Sequence, residues 1–570
     1  MVSKAITASE GTGKEESMNV AAVSRLLIVT TVLCSAAIGQ TTVATPLETR
    51  CADLIKMQID NSSISKATEL PEGTEVQIAG FGPPVTVKAL PAHCWVQGET
   101  NHHVGKDGKP YGDKFEVRMP SDWSGRLLFQ GGGGLDGVLL PALGMSETIP
   151  TPNSKSALTR GYAVISTDGG HHAENAMFPD GSFGADPEAR ADYNYRSTKL
   201  VTDVARKIIA QFYGRSAHHA YFKGCSNGGR EGLIAVQRYP EYFDGVIAGS
   251  PAFNLTHAAI AEAWNTVQFA AIAPRNTQGV PELFRAMTDP DLKLLANRVL
   301  QQCDELDGLK DGLINNPEAC HFDPAVLQCS GEKNDACLTP AQVGAVRKAF
   351  GGPKTSQGKP LYSDWPFDSG VADMGWRIWV LGNGMMPAIN TLIFPQFFNG
   401  LVLAGTPPPI DIFTFNFDSD PARVEPISAE LNATSPDLSA FQKRGGKLLL
   451  YIGMSDPVFS PNDLIRYYNQ VVERNGGMEK TAKFARLFLI PGMNHCGGGP
   501  ALDTFDSLTA IQDWVEEGKV PAIIASGTAF PGRTRPLCAY PKFPQYKGNG
   551  NPEDAANFNC VQPVSKNEAK

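Results

Sequence analysis

Several features are missing from this chain of 570 residues, and each absence removes a class of function. No apolar run approaches the ~20 continuous residues that cross a bilayer as a helix. No basic run occurs either: 59 acidic residues face 50 basic ones, for a formal net charge of −9. That balance argues against nucleic acid or an anionic membrane surface as partner. No C-x-x-C pair is present, so zinc ribbons and thioredoxin-type redox sites have no support. Repeats and low-complexity tracts are absent, while 42% hydrophobic and 19% charged residues are the proportions of an ordinary globular protein.

What is present begins with an address. The stretch "SRLLIVTTVLCSAAIGQ" puts Arg25 before an apolar run from Leu26 to Leu33, then the small residues Ser35, Ala36, Ala37 and Gly39, as a secretory signal does. Residues 1–39 are the expected leader, with Met18 as an alternative start because residues 1–17 are polar. Leu33 before Cys34 does not suit a lipoprotein site, where a small residue is expected. Losing the leader removes Lys4, Lys14 and Arg25 together with Glu10, Glu15 and Glu16, so the charge balance stands. Of the 11 cysteines, loss of Cys34 leaves Cys51, Cys94, Cys225, Cys303, Cys320, Cys329, Cys337, Cys496, Cys538 and Cys560. An even number in an exported chain suggests disulfides throughout, with connectivity left open. The expected location is secreted, periplasmic or extracellular.

The length exceeds that of a usual single domain, which favours two domains or one domain with a large insertion. Short apolar runs bounded by Gly, Asp or Pro recur at "RLLFQG" (126–131), "YAVISTD" (162–168), "AYFKGC" (220–225), "GVIAGSP" (245–251), "KLLLYIGMSD" (447–456) and "ARLFLIPGMNH" (485–495). They lack polar alternation, as strands buried on both faces do. Amphipathic helices lie between them: Leu200, Val201, Val204, Ile208, Ile209 and Phe212 step by three and four, as do Leu508, Ile511, Trp514 and Val515. This alternation predicts an α/β sheet with its active groups at the carboxyl ends of the strands. It stops near Ser250 and resumes near Lys447. The expected organisation is therefore a hydrolase-type α/β domain over 40–251 and 441–570, with a lid domain over 252–440 inserted between consecutive sheet strands.

Gly224-Cys225-Ser226-Asn227-Gly228 is a G-x-S-x-G pattern, a weak signal alone in a chain with 57 glycines. Here it closes an apolar strand and precedes a plausible helix, "NGGREGLIAVQRYPEYF", which is the strand-turn-helix setting of a nucleophile elbow. A serine hydroxyl needs a histidine to take its proton and an acid to orient that histidine. In α/β-hydrolases the order is Ser, then acid, then His, each just past a strand. Asp456 in "GMSDP" and His495 in "GMNHCGGG" satisfy that order; the other nine histidines lie upstream of His495, and only His495 follows the nucleophile at the end of a C-terminal strand. The paired histidines (102/103, 171/172 and 218/219) read as solvated loop residues or as a metal site. An oxyanion hole needs two backbone N–H groups, one from the residue after the nucleophile, Asn227, and one from a glycine-rich loop. "LLFQGGGGLDG" supplies such a loop at Gly131 to Gly134. A nucleotide-phosphate loop is the competing reading, but the run lacks both G-x-G-x-x-G spacing and a P-loop lysine.

Inside the insertion, "CDELDGLKDGLINNPEAC" packs Asp304, Asp307 and Asp311 between two cysteines. Crowded hard oxygen ligands suit calcium, and a solvated acidic turn is the other reading. The loop is not an EF-hand, because Asn315 stands at position twelve where that motif has Glu.

Cys225 precedes the expected nucleophile and Cys496 follows the expected base, so a disulfide between them would clamp the two loops together. This Cys-Ser, Asp, His-Cys arrangement resembles that of the tannase and feruloyl esterase family. The resemblance runs through "FQGGGG", "KGCSNGGREG", the insertion, "GMSDP" and "GMNHCGGG" in order, across nearly the whole mature chain. It implies an α/β-hydrolase fold, a triad of Ser226, Asp456 and His495, and oxyanion donors Gly133 and Asn227. It also implies a structural calcium ion held by Asp304, Asp307 and Asp311 with the carbonyls of Leu309 and Leu313, and no organic cofactor.

The family's substrates are esters of aromatic acids: gallates, hydroxycinnamates such as ferulate and, in one branch, mono(2-hydroxyethyl) terephthalate. An aromatic acyl group needs a flat apolar slot. The insertion holds Trp365, Trp376, Trp379, Phe394, Phe397 and Phe398; most are expected in its core, with Trp379 and Phe398 expected to line the slot. Val380 to Asp418 contains no Lys or Arg to hold a carboxylate on the acyl ring, which speaks against a terephthalate specialist. The expected function is a secreted serine esterase acting on hydroxycinnamate esters, with gallate esters as the alternative and oligomeric state open. A non-catalytic binding protein on this fold would be expected to lack a triad member or the oxyanion glycines, and a peptidase would be told apart by amide turnover.

Overall fold

The computed structural model describes residues 47–78, 84–145, 156–173 and 180–563; the expected leader and Cys34 lie outside them. Nine strands form the main sheet: β1 (Ser62–Leu70), β2 (His93–Val104), β3 (Pro110–Pro120), β4 (Arg126–Gln130), β5 (Ala163–Thr167), β6 (His219–Cys225), β7 (Gly245–Gly249), β8 (Lys447–Gly453) and β9 (Ala485–Ile490). Their order is β1-β2-β3-β5-β4-β6-β7-β8-β9. The first three pair antiparallel, as does β3 with β5. From β5 to β9 every pairing is parallel.

The period of two along each strand sorts side chains into two cores. Leu127, Phe129, Phe222, Val246, Leu448 and Leu450 enter one, which α1 (Ser197–Tyr213) covers with Val201, Val204 and Ile208. Leu128, Tyr221, Ile247, Leu449 and Tyr451 enter the other. Burial on both faces explains why these strands read as unbroken apolar runs. Gly214 ends α1 in the left-handed conformation, φ 69°, which glycine adopts without strain.

Two further helices position the site. α2 (Asn227–Arg238) follows β6 immediately, and α3 (Leu255–Ala270) follows β7 as the chain leaves the sheet. The chain re-enters the sheet at Lys447. The inserted segment shares a continuous core with the sheet: Leu295, Trp365 and Trp376 belong to the same buried cluster as Phe222 and Leu448. On the second face, α4 (Ser507–Glu516) contributes Leu508, Ile511 and Trp514.

Disulfides join Cys51 to Cys94, Cys225 to Cys496, Cys303 to Cys320, Cys329 to Cys337 and Cys538 to Cys560. All ten cysteines expected in the mature chain are thus paired. No helix among the described residues is long and apolar enough to cross a membrane.

Candidate active site

Ser226 occupies the one-residue turn between β6 and α2, at φ 62° and ψ −124°. A non-glycine residue there costs about 1–3 kcal/mol and must be held by its surroundings. Its N–H donates to Gly249 O at 3.0 Å, and its carbonyl accepts from Ala252 N at 3.0 Å and Arg230 N at 3.1 Å. The flanking glycines are required by close approach of three backbones. A Cβ on Gly224 would meet Gly228 O at 2.5 Å, and one on Gly228 would meet Gly132 O at 2.6 Å. The G-x-S-x-G spacing is therefore a packing condition between strand end, helix start and glycine loop.

Asp456 and His495 leave the sheet after β8 and β9, neighbouring parallel strands, and their side chains meet. His495 Nδ1 lies 2.9 Å from Asp456 Oδ2. The other carboxylate oxygen accepts from Val458 N at 2.9 Å and Phe459 N at 3.1 Å, so Asp456 is fully buried yet satisfied. With Nδ1 turned to the acid, Nε2 remains for a proton arriving from a substrate-side group. The rings of Trp379 and Phe459 flank the imidazole edge-on at 5.4 and 5.3 Å. Both also line the cavity that contains Ser226. The Cys225–Cys496 disulfide ties the residue before Ser226 to the residue after His495, with Cα atoms 6.0 Å apart.

Asn227 opens α2, so its N–H is one of the orphan donors of a helix's first turn. Its side chain is locked: Nδ2 donates to Asp136 Oδ1 at 2.7 Å and to Glu231 Oε1 at 3.1 Å, while Oδ1 accepts from Arg230 Nε at 2.7 Å. Glu231 Oε2 accepts from Gly132 N at 3.2 Å, which fastens the glycine loop next to Gly133. Burial, with repulsion from Glu231, holds the Asp136 carboxyl well above its ordinary range, and burial raises Glu231 as well. Two carboxyls that close in a dry site retain a proton between them.

Sequence reading missed this pair, and it missed Asp368. That buried carboxylate of the insertion accepts from Ser455 Oγ at 2.9 Å and Gly492 N at 2.6 Å. It thereby bridges the loops that carry Asp456 and His495. No local pattern marks these acids, which read as loop or helix polar residues until the chain is folded around them.

A cavity opens at Ser226 between Leu135, Tyr193, Leu255, Ala259, Trp379, Ile393, Phe397 and Val458, a mostly apolar lining of the kind that holds a flat ring. Its one ionisable carboxyl is Glu262. Trp379 is in the wall, as expected. Phe398 is not: fully buried, it stacks on Phe394 at 4.9 Å in the core of the insertion, and its neighbour Phe397 faces the cavity. Residues 395–402 are wound as a π-helix, so the α-helical period assigns the wrong face there. A second cavity, lined by Met454, Leu489, Pro536 and Tyr540, contains none of these groups.

In the aspartate loop, Asp304 accepts from Gly312 N at 2.9 Å and Asp307 from Asn315 Nδ2 at 2.6 Å, while Asp311 pairs with Arg535. Asp304 and Asp307 are buried, not solvated, and burial pushes Asp307 up to about 6. Among the described residues no three carboxylate, imidazole or thiolate side chains converge as metal ligands do. Of the paired histidines, His171 is buried against Phe183 at 3.7 Å, unlike a solvated loop residue, whereas His172 bonds Asp168 at 2.7 Å.

Strand order, elbow and acid–imidazole contact define an α/β-hydrolase. The family model described as tannase and feruloyl esterase matches residues 94–561. Mono(2-hydroxyethyl) terephthalate hydrolase of Piscinibacter sakaiensis is 42% identical over 541 residues, covering 86% of this chain and 89% of that protein. The crystal structure of feruloyl esterase B from Aspergillus oryzae matches with TM-score 0.75 at 27% identity, over 90% of this chain and all of that one. Tannin acyl hydrolase from Aspergillus niger shares the fold at TM-score 0.68 and 23% identity, over 91% of this chain and 97% of that one. The chain belongs to the tannase and feruloyl esterase family and is a carboxylic ester hydrolase.

Proposed function

We propose that this protein hydrolyses esters of aromatic acids, hydroxycinnamates first, through an acyl-enzyme on Ser226. Ser226 Oγ attacks the acyl carbonyl carbon as its proton passes to His495 Nε2. Asp456 orients the ring and stabilises the imidazolium. The oxyanion is held by the N–H groups of Gly133 and Asn227. His495 returns the proton to the departing alkoxide, and the Ser226 ester remains. Water, deprotonated by His495, then releases the acid and restores the serine.

The observation carrying the aromatic reading is the slot itself, with Trp379, Ile393 and Phe397 along an apolar wall beside Ser226. No Lys or Arg is among its lining residues, so a carboxylate on the acyl ring would be desolvated without a cation. The relative of 42% identity named for a terephthalate monoester supports that ester as the second reading. Purified protein assayed against methyl ferulate, methyl gallate and mono(2-hydroxyethyl) terephthalate should give the highest kcat/KM on ferulate. A preference for the terephthalate ester would overturn the order.

The paired cysteines support export to an oxidising compartment. The carboxylates of Asp304, Asp307 and Asp311 and the carbonyls of Leu309 and Leu313 would hold calcium. Hard oxygens are the donor type that ion takes, although the three carboxylates do not converge as ligands here and Asp311 pairs with Arg535; bound, calcium would staple the loop and not enter the reaction. Excess chelator should lower Tm, because a ligand bound only by the folded chain stabilises it by mass action, and added calcium should restore it. Unchanged melting together with no calcium in elemental analysis would leave Arg535 and backbone donors as the loop's only partners.

A further inference from the structure

Glu262 is the unexplained group in the slot. It lies on α3, one face of which lines the cavity with Leu255, Ala259 and Glu262, spaced i, i+4 and i+7. The residue is 6% exposed, and its carboxyl has no hydrogen bond or ion pair among the described residues. Burial alone raises it to about 8, so it is a neutral acid at pH 7. An unpaired buried carboxyl is destabilising, and the fold offers it no partner. The proposed reaction makes no use of it either.

Its position along the slot is informative. Ala252, just before α3, donates to the carbonyl of Ser226 at 3.0 Å, so the helix begins beside the elbow. Seven residues separate Leu255 from Glu262, about 10 Å at 1.5 Å per residue. Along that wall a hydroxycinnamoyl group, which is longer than a galloyl one, would reach from Leu255 toward Glu262. Beyond Glu262, Asn265 Oδ1 and Thr266 Oγ1 on the same helix are buried without partners. Both amide atoms of Asn390 are also unpartnered, on the neighbouring helix Ile389–Phe394. Unpartnered polar atoms thus lie on the two helices that contribute Glu262 and Ile393 to the slot.

We infer that Glu262 is a specificity residue, pairing with a hydroxyl on the aromatic ring of the acyl group. This rests on the aromatic-ester reading and assigns its substrates: ring-hydroxylated acids over unsubstituted ones. A neutral carboxyl both donates and accepts, matching a phenolic hydroxyl, which does the same. A site built around such a bond penalises a ligand lacking the hydroxyl, because the buried group is then left unpaired.

The test compares methyl 4-hydroxycinnamate with methyl cinnamate, esters that differ by that hydroxyl alone. For the wild type, kcat/KM should favour the hydroxylated ester about tenfold or more. Glu262→Met, apolar and of similar volume, should abolish most of this ratio. It should not lower Tm, since an unpaired buried carboxyl is removed and volume is kept. Glu262→Gln, which keeps a donor and an acceptor, should retain most of the ratio. A ratio unchanged in Glu262→Met, or lost equally in Glu262→Gln, would overturn the proposal. So would a wild type that hydrolyses both esters without preference, and the aromatic-ester reading would survive that result. Failure of the wild type on every aromatic ester would overturn that reading instead.

Discussion

Ser226→Ala lowers kcat for aromatic ester hydrolysis by about a thousandfold or more and leaves the folded protein intact. The size follows from what a positioned nucleophile and base add beyond the oxyanion hole, which by itself retains part of the acceleration. Intact folding follows from the local structure. The elbow is held by backbone bonds to Gly249, Arg230 and Ala252, none of which involves the hydroxyl. Alanine keeps the Cβ that already sits at φ 62°, so the substitution adds no new backbone strain. Initial rates of ester hydrolysis, with circular dichroism and Tm on the same sample, make the measurement. Near-wild-type turnover by a folded Ser226→Ala protein would remove Ser226 from the chemistry.

The double substitution Cys225→Ala with Cys496→Ala lowers kcat about ten- to a hundredfold and raises KM by less. The bond closes a loop spanning 271 residues, for which the chain-entropy model gives on the order of 5 kcal/mol, with measured values commonly lower. A loss of stability of that size is expected, so the kinetics must be taken well below the variant's Tm. The catalytic effect has a separate origin. Ser226 and His495 each sit one residue from a bridged sulfur, and Cys496 is itself held at φ 62°. Without the bridge, the elbow and the histidine loop are registered only through the sheet and packing, since Asp368 ties the histidine loop to the Asp456 loop and not to the elbow. Misplacement by about 1 Å costs on the order of a hundredfold where proton transfer demands alignment. Substrate binding depends mainly on walls from α3 and the insertion, which the bridge does not join. An equal fall in kcat/KM through KM alone would show that the disulfide shapes the slot and not the reacting groups.

The parts of this fold legible in the sequence are those where burial is complete. β5 and β7 are buried along their whole length, and each reads as a short, mainly apolar run bounded by turn residues. The antiparallel strands β1 to β3 do not. β1 reads SSISKATEL, with exposed and half-buried positions alternating, and β2 carries Glu99 and Asn101 at half-buried positions and His102 at an exposed one. A strand that faces water on one side mixes polar residues into its pattern and resembles a loop.

The site divides in the same way. Ser226, Asp456 and His495 stand at strand ends in short motifs, where the backbone itself limits which residues fit: glycines at Gly224 and Gly228, a carboxylate able to accept the Val458 and Phe459 amides. Those demands are local, so the sequence by itself determined them, together with the sheet, the insertion and the even cysteine count. Which cysteines pair, which of Phe397 and Phe398 enters the slot, and whether Asp136, Glu231, Glu262 and Asp368 are wet or dry were decided only by the tertiary structure. A carboxylate's chemistry depends on the solvent and donors around it. For these residues the surroundings come from segments far apart in the chain: Gly132 for Glu231, Gly492 for Asp368, and Phe397 and Trp379, which line the slot together with Glu262.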